Sequence, residues 1–182
     1  MYKPYEKSFP SGKLPQNPTY KQSYKNEIRK LILNQHWKQP VFMTFAYNCH
    51  KLKEAPDAPT DRITYFDKRV DWIDWKTSRS TLGRHFLKKP HERASGFGFR
   101  EHLNSNYHNH FILDIRRVDR LKYRHYAKHH LIDVIPSATF DLQPIKDREN
   151  LEKVVGYVLK EQSDYSLSRK NGYIILNHSL SV

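Results

Sequence analysis

The sequence contains a single cysteine, no long apolar run and no phosphate-binding glycine loop, and each of these absences excludes a class of protein. One cysteine, Cys49, allows neither an internal disulfide nor a cysteine-based zinc site, and it is compatible with a reducing cytosol. No segment resembles a signal peptide or approaches the ~20 apolar residues of a membrane span, so we expect a cytoplasmic protein with no membrane partner. Because the pattern GxxxxGK[ST] is missing, no helicase activity is expected.

Acidic residues are also scarce relative to basic ones. The chain has 32 Lys and Arg against 19 Asp and Glu, which gives a formal net charge of +13. Such an excess favours a polyanionic partner, nucleic acid first and an anionic membrane surface second, although a merely soluble basic protein is the alternative. The 12 tyrosines and 9 phenylalanines favour unpaired bases, which stack on aromatic rings while phosphates meet the cations. This composition does not separate DNA from RNA.

The length of 182 residues suits one domain of ordinary size. Residues 1–21 are rich in proline and lysine and poor in aliphatic side chains, which is typical of a poorly ordered segment. We therefore divide the chain into a basic N-terminal arm with a short helix (1–35), a main domain (36–165) and a C-terminal tail (166–182).

The pattern of apolar residues predicts alternating strands and helices. Strands are expected at 41–47, 96–102, 108–115 and 138–145, helices at 67–87, 118–131 and 148–162, and a loop at 48–65. A short amphipathic helix is expected from about residue 22, and the run 173–176 is either an edge strand or a packing tail. This order predicts an α+β fold whose antiparallel sheet carries helices on one face and leaves the other open to a single strand.

The run YHNHFILDI (107–115) contains the most informative pair of residues. His108 and His110 point to the same face of a strand, since side chains alternate along it. Glu101, across the predicted hairpin, supplies a carboxylate as third ligand, and His102 is its rival for that role. Two imidazoles and one carboxylate suit Mg²⁺, Mn²⁺ or a similar divalent ion and leave positions for water and substrate. Solvated histidines and a surface salt bridge of Glu101 are the alternative.

Tyr157 lies at the edge of the apolar stripe of the last predicted helix, one turn before Lys160. An ammonium group near a phenol favours the phenolate and can also hold a phosphate oxygen. Taken alone, either residue is more often a packing tyrosine or a solvated lysine. The conjunction of an acid, the HxH pair and a downstream YxxK is much less common than any one of its parts.

Three segments together resemble the motifs of HUH endonucleases, in the usual order: FMTF (42–45), EHLNSNYHNHFIL (101–113) and YVLK (157–160). The similarity is greatest to the single-tyrosine rolling-circle replication initiators of phages, plasmids and mobile elements, and it extends over about residues 41–162. FDLQPI (140–145) also resembles the stretch that precedes the third motif. One departure is Asn109, because the residue between the histidines is usually hydrophobic.

The resemblance implies a ferredoxin-like or RRM-like domain that nicks and rejoins single-stranded DNA at a specific sequence. His108, His110 and Glu101 would bind the divalent metal, and Tyr157 would attack the phosphodiester to give a 5′-phosphotyrosine. Lys160 would position Tyr157 or neutralise the phosphate, and Gln143 would help to orient a ligand or the nucleotide. A host helicase and polymerase would be the protein partners. The candidate DNA-binding residues are Gln143, Phe97, Phe99, Arg100 and Tyr107.

Alternative functions remain open at the level of sequence. A transposase of a mobile element would use the same chemistry. A non-catalytic module would stack bases on Phe97, Phe99 and Tyr107 of the open sheet, and a nuclease that uses water would leave no covalent adduct. Tyr165 is the candidate for a second nucleophile, but it lies eight residues after Tyr157 and beyond the predicted helix.

Overall fold

Strands and helices alternate along residues 18–47, 59–101, 107–160 and 174–176, the part of the chain that the structure, a computed structural model, describes. The helices are α1 (Pro18–Leu33), α2 (Pro59–Leu82), α3 (Arg120–Val134) and α4 (Arg148–Lys160). The strands are β1 (Pro40–Ala46), β2 (Ser95–Glu101), β3 (His108–Asp114), β4 (Thr139–Pro144) and β5 (Ile174–Leu176). None of these helices is both long and apolar enough to cross a membrane.

The strands form one antiparallel sheet in the order β4-β1-β3-β2-β5. The chain runs β1-α2-β2-β3-α3-β4 through its four longer strands, which is the connectivity of a ferredoxin-like fold. The predicted α+β fold with an antiparallel sheet is therefore confirmed. The short β5 pairs with β2, so residues 174–176 form an edge strand and not merely a packing tail.

Helices α2 and α3 pack together on one face of the sheet, as the sequence predicted. Side chains alternate along β3, so Phe111 and Leu113 point to this face. There they pack in one buried cluster with α2 residues such as Val70 and α3 residues such as Leu131. Apolar side chains from one face of each element thus share a single core, which places α2 and α3 on the same side of the sheet.

The second face differs from the open surface that the sequence predicted, because α1 and α4 cover part of it. Phe97, Phe99 and Ile112 point to this side and pack with the apolar stripe of α4, including Val155 and Val158. Ile28 and Ile32 of α1 belong to the same cluster, so α1 is joined to the sheet. An open second face is physically unfavourable, because it would leave the rings of Phe97 and Phe99 in water.

The bounds of α2 differ most from the prediction. The helix begins at Pro59, inside the predicted loop, because proline is well tolerated in the first turn, where its missing N–H needs no helical partner. It ends before Gly83, whose φ of 83° is the left-handed conformation that closes many helices. The predicted extension to residue 87 is instead a separate 3₁₀ turn at Phe86–Lys88.

Two aspartates begin the last two helices. The side chain of Asp119 accepts a hydrogen bond from the backbone N–H of Lys122 at the start of α3. Asp147 accepts one from the backbone N–H of Asn150 at 2.8 Å and so caps the start of α4. The cap fixes where α4 starts and therefore which of its residues face the sheet.

Candidate metal centre and nucleophile

Glu101, His108 and His110 lie together at the end of the β2–β3 hairpin. The register pairs Glu101 directly with His108, and His110 follows two residues later on the same face of β3. One ligand atom from each of the three side chains can be chosen so that all lie within 4.8 Å of one another. Glu101 and His110 are buried and His108 is half-buried. The structure thus brings the three predicted ligands into one group.

The distance between Glu101 and His110 fits a shared divalent ion. His110 Nε2 lies 3.0 Å from Glu101 Oε2. Two adjacent ligands of an octahedral ion, each bound at about 2.1 Å, lie about 3.0 Å apart. The same distance also fits a direct hydrogen bond between the two groups. Two imidazoles and a carboxylate are donors that Mn²⁺ and similar ions accept, so the residues present fit the expected metal.

Thr44 orients His110 from the neighbouring strand. The register places Thr44 opposite His110, and its Oγ1 lies 2.9 Å from His110 Nδ1. When Nδ1 carries the proton, it donates to Thr44 and leaves the lone pair of Nε2 directed toward Glu101. Hydrogen bonds of this kind fix the tautomer and the ring orientation of metal-binding histidines.

Tyr157 is placed beside His110 by helix α4. The two ring centroids are 5.3 Å apart with nearly perpendicular planes. Phe42 contacts both, since it stacks on His110 at 5.5 Å and meets Tyr157 edge-on at 6.1 Å. The tyrosine side chain is 51% exposed, so a substrate can reach it. A solvent-accessible phenol therefore lies against one member of the candidate metal centre.

Lys160 occupies the last turn of α4 and is exposed. Its backbone carbonyl accepts a hydrogen bond from Lys25 Nζ at 3.2 Å, which joins the end of α4 to α1. Within the described residues, no hydrogen bond or ion pair links its ammonium group to the metal ligands. Its role toward Tyr157 or a phosphate stays a prediction.

Four of the five predicted DNA-binding residues are buried in the structure, so their role toward DNA stays a prediction. Phe97 and Phe99 are 0% and 1% exposed under α4, and Tyr107 is fully buried on the other face. Arg100 is 9% exposed and its guanidinium donates to the carboxylate of Asp67, with an Nε–Oδ1 distance of 3.1 Å. Phe97 and Phe99 are buried because α4 covers their face of the sheet, and the sequence pattern did not predict that packing.

Gln143 is exposed on β4, and its Nε2 donates to Asp141 Oδ2 at 2.8 Å. The register pairs Gln143 with Phe42 and Asp141 with Thr44, so both project from the face that carries His110. Gln143 thus remains available to a ligand on this face. His102 and Tyr165, the two rivals considered for third ligand and second nucleophile, lie outside the described residues.

Asn109 is a structural residue of the opposite face. It is fully buried, and its Nδ2 donates to Tyr47 Oη at 3.0 Å. The ring of Tyr47 stacks on Phe66 at 4.1 Å. Burial raises the pKa of Tyr47 well above its ordinary value, and the hydrogen bond from Asn109 opposes that shift. A polar residue between the two histidines is therefore accommodated by a buried phenol behind the site.

Sequence reasoning did not assign a role to Phe42, Thr44 or Asp141. Phe42 and Thr44 lie in the hydrophobic strand motif at alternate positions, so their common face was readable. What could not be read was the register that sets Thr44 opposite His110. Comparison with family models, curated proteins and solved structures finds no match to this chain.

Proposed function

We propose that the protein is a metal-dependent endonuclease that nicks and rejoins single-stranded DNA through a phosphotyrosine intermediate on Tyr157. The observation that carries the proposal is the position of an exposed tyrosine ring 5.3 Å from His110, a member of the Glu101–His108–His110 group. A nucleophile next to a two-histidine, one-carboxylate centre is an arrangement suited to phosphodiester transesterification.

The reaction exchanges one phosphodiester for another. The Oη of Tyr157 attacks the phosphorus, the bond to the 3′ oxygen breaks, and the downstream strand stays attached through a 5′-phosphotyrosine. The phenol loses its proton and the departing 3′ hydroxyl gains one, so the step is balanced without a further reactant. Because a phosphodiester is retained, attack by a 3′ hydroxyl reverses the step and rejoins the strands.

Each residue of the site has a defined task in this proposal. Glu101, His108 and His110 would hold a Mg²⁺ or Mn²⁺ ion, which when bound polarises the phosphodiester and stabilises the charge that develops. Thr44 would accept a hydrogen bond from Nδ1–H of His110 and so leave Nε2 to the ion. Phe42 packs against both rings and so fixes the distance between nucleophile and centre. Lys160 would neutralise a phosphate oxygen at the open side of Tyr157.

The biological setting follows from the chemistry and the charge. A strand cut with its 3′ hydroxyl free is a primer, so we propose that the reaction initiates rolling-circle replication in the cytoplasm, with a host helicase and polymerase. The net charge of +13 supports a polyanionic substrate. A module that merely stacks bases on Phe97, Phe99 and Tyr107 is disfavoured, because those rings are buried.

Retention of a labelled strand tests the proposal. A library of single-stranded oligonucleotides with a randomised central segment and a 3′-end label is incubated with the full chain and Mn²⁺, then separated by denaturing electrophoresis. We expect label at the size of the protein, lost on addition of EDTA and in Tyr157→Phe. Tyr126→Phe, on α3 across the sheet, is the matched control and should retain the label. Metal-dependent cleavage without any retained label would indicate attack by water and overturn the proposal.

A further inference from the structure

A second group of metal-binding side chains lies on α3, on the opposite side of the sheet from His110. It consists of His129, His130 and Asp133, whose ligand atoms can be chosen within 4.8 Å of one another. His129 Nε2 is 3.3 Å from Asp133 Oδ2, and His130 Nδ1 is 3.9 Å from the same oxygen. One carboxylate oxygen is therefore approached by two imidazoles.

The spacing of the three residues explains how one helix brings them together. His129 and Asp133 are four residues apart and His130 and Asp133 are three apart, so all three project from adjacent positions on one surface of α3. His129 and Asp133 are 58% and 49% exposed, while His130 is 12% exposed. An ion can thus reach the group from solvent, and the largely buried His130 is restrained by the residues that surround it.

Helix α2 contacts the ring of His130 and limits its orientation. His130 Nε2 lies 3.0 Å from Ser80 Oγ, and the ring is packed edge-on against Trp72 and stacked on Tyr126. With the proton on Nε2, the imidazole donates to Ser80 and directs its Nδ1 lone pair toward Asp133. This is the same device by which Thr44 orients His110.

An ordinary surface ion pair does not account for all of this geometry. A pair between His129 and Asp133 at helical spacing would produce the 3.3 Å distance by itself. It would not require a second, largely buried imidazole whose Nδ1 lies 3.9 Å from the same oxygen. The ring of His125, one turn earlier, is parallel to that of His129 with 6.3 Å between centroids, which further restricts His129.

We propose that His129, His130 and Asp133 form a binding site for Zn²⁺, separate from the catalytic centre. Two imidazoles and one carboxylate are ordinary zinc ligands, and a fourth position stays open to water or to a donor from another molecule. Because α3 packs on the face of the sheet opposite His110, this ion takes no part in the chemistry at Tyr157. The proposal stands independently of the function assigned to that tyrosine.

Zinc titration of the full chain tests the site, with the catalytic centre disabled by Glu101→Gln. After treatment with a chelator, the Glu101→Gln protein is titrated with Zn²⁺ by calorimetry, and Co²⁺ absorption reports the coordination. His108 and His110 keep two imidazoles in this protein, so the readout is the one equivalent of Zn²⁺ whose affinity falls at least about tenfold on adding His129→Ala. His129 is exposed, so this variant should fold, and unchanged far-ultraviolet circular dichroism confirms that.

Two further variants separate a built site from a chance cluster. Ser80→Ala keeps all three ligands and removes only the hydrogen bond to His130, so we expect affinity about tenfold weaker. His91→Ala, which removes an exposed histidine of neither group, should bind Zn²⁺ as its parent does. Affinity unchanged in His129→Ala, an equal loss in His91→Ala, or no Zn²⁺ bound by the parent would each overturn the proposal.

Discussion

At the scale of single residues, the site depends on side chains that hold the chemistry-bearing groups in place. His110 is contacted by Glu101 at Nε2, by Thr44 at Nδ1 and by the ring of Phe42 on its face. Each of the three contacts limits a different motion of the imidazole. A metal ligand constrained in this way loses little conformational freedom when an ion binds, which favours binding.

Thr44→Val tests the orientation of His110. The substitution conserves size but removes the hydroxyl that pairs with Nδ1, so the imidazole loses the hydrogen bond that orients it from β1. We expect the Mn²⁺ concentration for half-maximal adduct formation to rise about tenfold or more. Thr139→Val, at an exposed position of β4, is the control and should leave the requirement unchanged. An unchanged Mn²⁺ requirement in Thr44→Val would show that the hydroxyl does not orient the ligand.

Asp74 gives a pH-dependent contribution to stability. Burial raises its pKa from 3.8 to about 6, and Arg93, whose Nη2 is 2.9 Å from Oδ2, opposes the shift. The folded state therefore binds the proton of Asp74 more tightly than the unfolded chain does. The resulting contribution to the free energy of unfolding is fully present below the unfolded pKa of 3.8. That contribution is lost as the pH rises through about 6.

Asp74→Asn should remove this dependence, because the amide mimics the protonated acid. We expect the free energy of unfolding of the natural protein, relative to the variant, to fall by about 3 kcal/mol between pH 3.5 and pH 7. Urea unfolding of both proteins at several pH values measures the difference. A difference that stays constant over this range would mean that Asp74 titrates normally in the folded state.

At the scale of elements, strand register decides which residues meet. Periodicity predicted the four longer strands and the faces of β3, and the predicted hairpin placed Glu101 near the histidines. It could not predict that β1 lies between β3 and β4, since pairing between strands distant in sequence leaves no local signal. For the same reason the sequence does not predict that Thr44 contacts His110, although Thr44 lies within the motif FMTF.

Helix packing set the other limit of prediction. The apolar stripe of α4 was readable, and so was the position of Tyr157 at its edge. The surface that this stripe covers was not readable, and it includes Phe97 and Phe99, which the sequence predicts as DNA-binding residues and which pack under α4. Burial of both by a helix from the C-terminal half is a long-range event that no local pattern encodes.

Gly96 tests the register of β2 on β3. A Cβ atom at this position would lie 2.0 Å from the backbone oxygen of Ile112, and a backbone atom cannot move aside as a flexible side chain would. We therefore expect Gly96→Ala to shift β2 and to lower the unfolding free energy by more than about 2 kcal/mol. Urea denaturation measures the loss.

Gly83→Ala serves as the comparison for Gly96→Ala. Its added Cβ would have no described atom within 4 Å, and the cost is only that of a left-handed φ, about 1 kcal/mol. Equal losses in the two glycine variants would contradict the close approach of β2 to β3.

At the scale of the whole molecule, the two ligand groups lie on opposite sides of one sheet. The candidate catalytic centre shares its face with α1 and α4, and the proposed zinc site belongs to the α2–α3 layer. A cavity of about 780 Å³ at the other end of β1 is lined in part by Lys38, Arg120, Lys146 and Arg148. These cations add to the attraction for a polyanion that the proposed function requires.

The measurement that tests the central claim most directly is identification of the residue that carries the DNA. The labelled adduct formed with Mn²⁺ is digested with nuclease and trypsin, and the peptides are analysed by mass spectrometry. Cleavage after Lys153 and Lys160 isolates residues 154–160, in which Tyr157 is the sole tyrosine, from the peptide that contains Tyr165. We predict a nucleotide 5′-phosphate on Tyr157 in peptide 154–160. An adduct confined to Tyr165, or cleaved DNA with every tyrosine unmodified, would contradict the assignment of Tyr157 as the nucleophile.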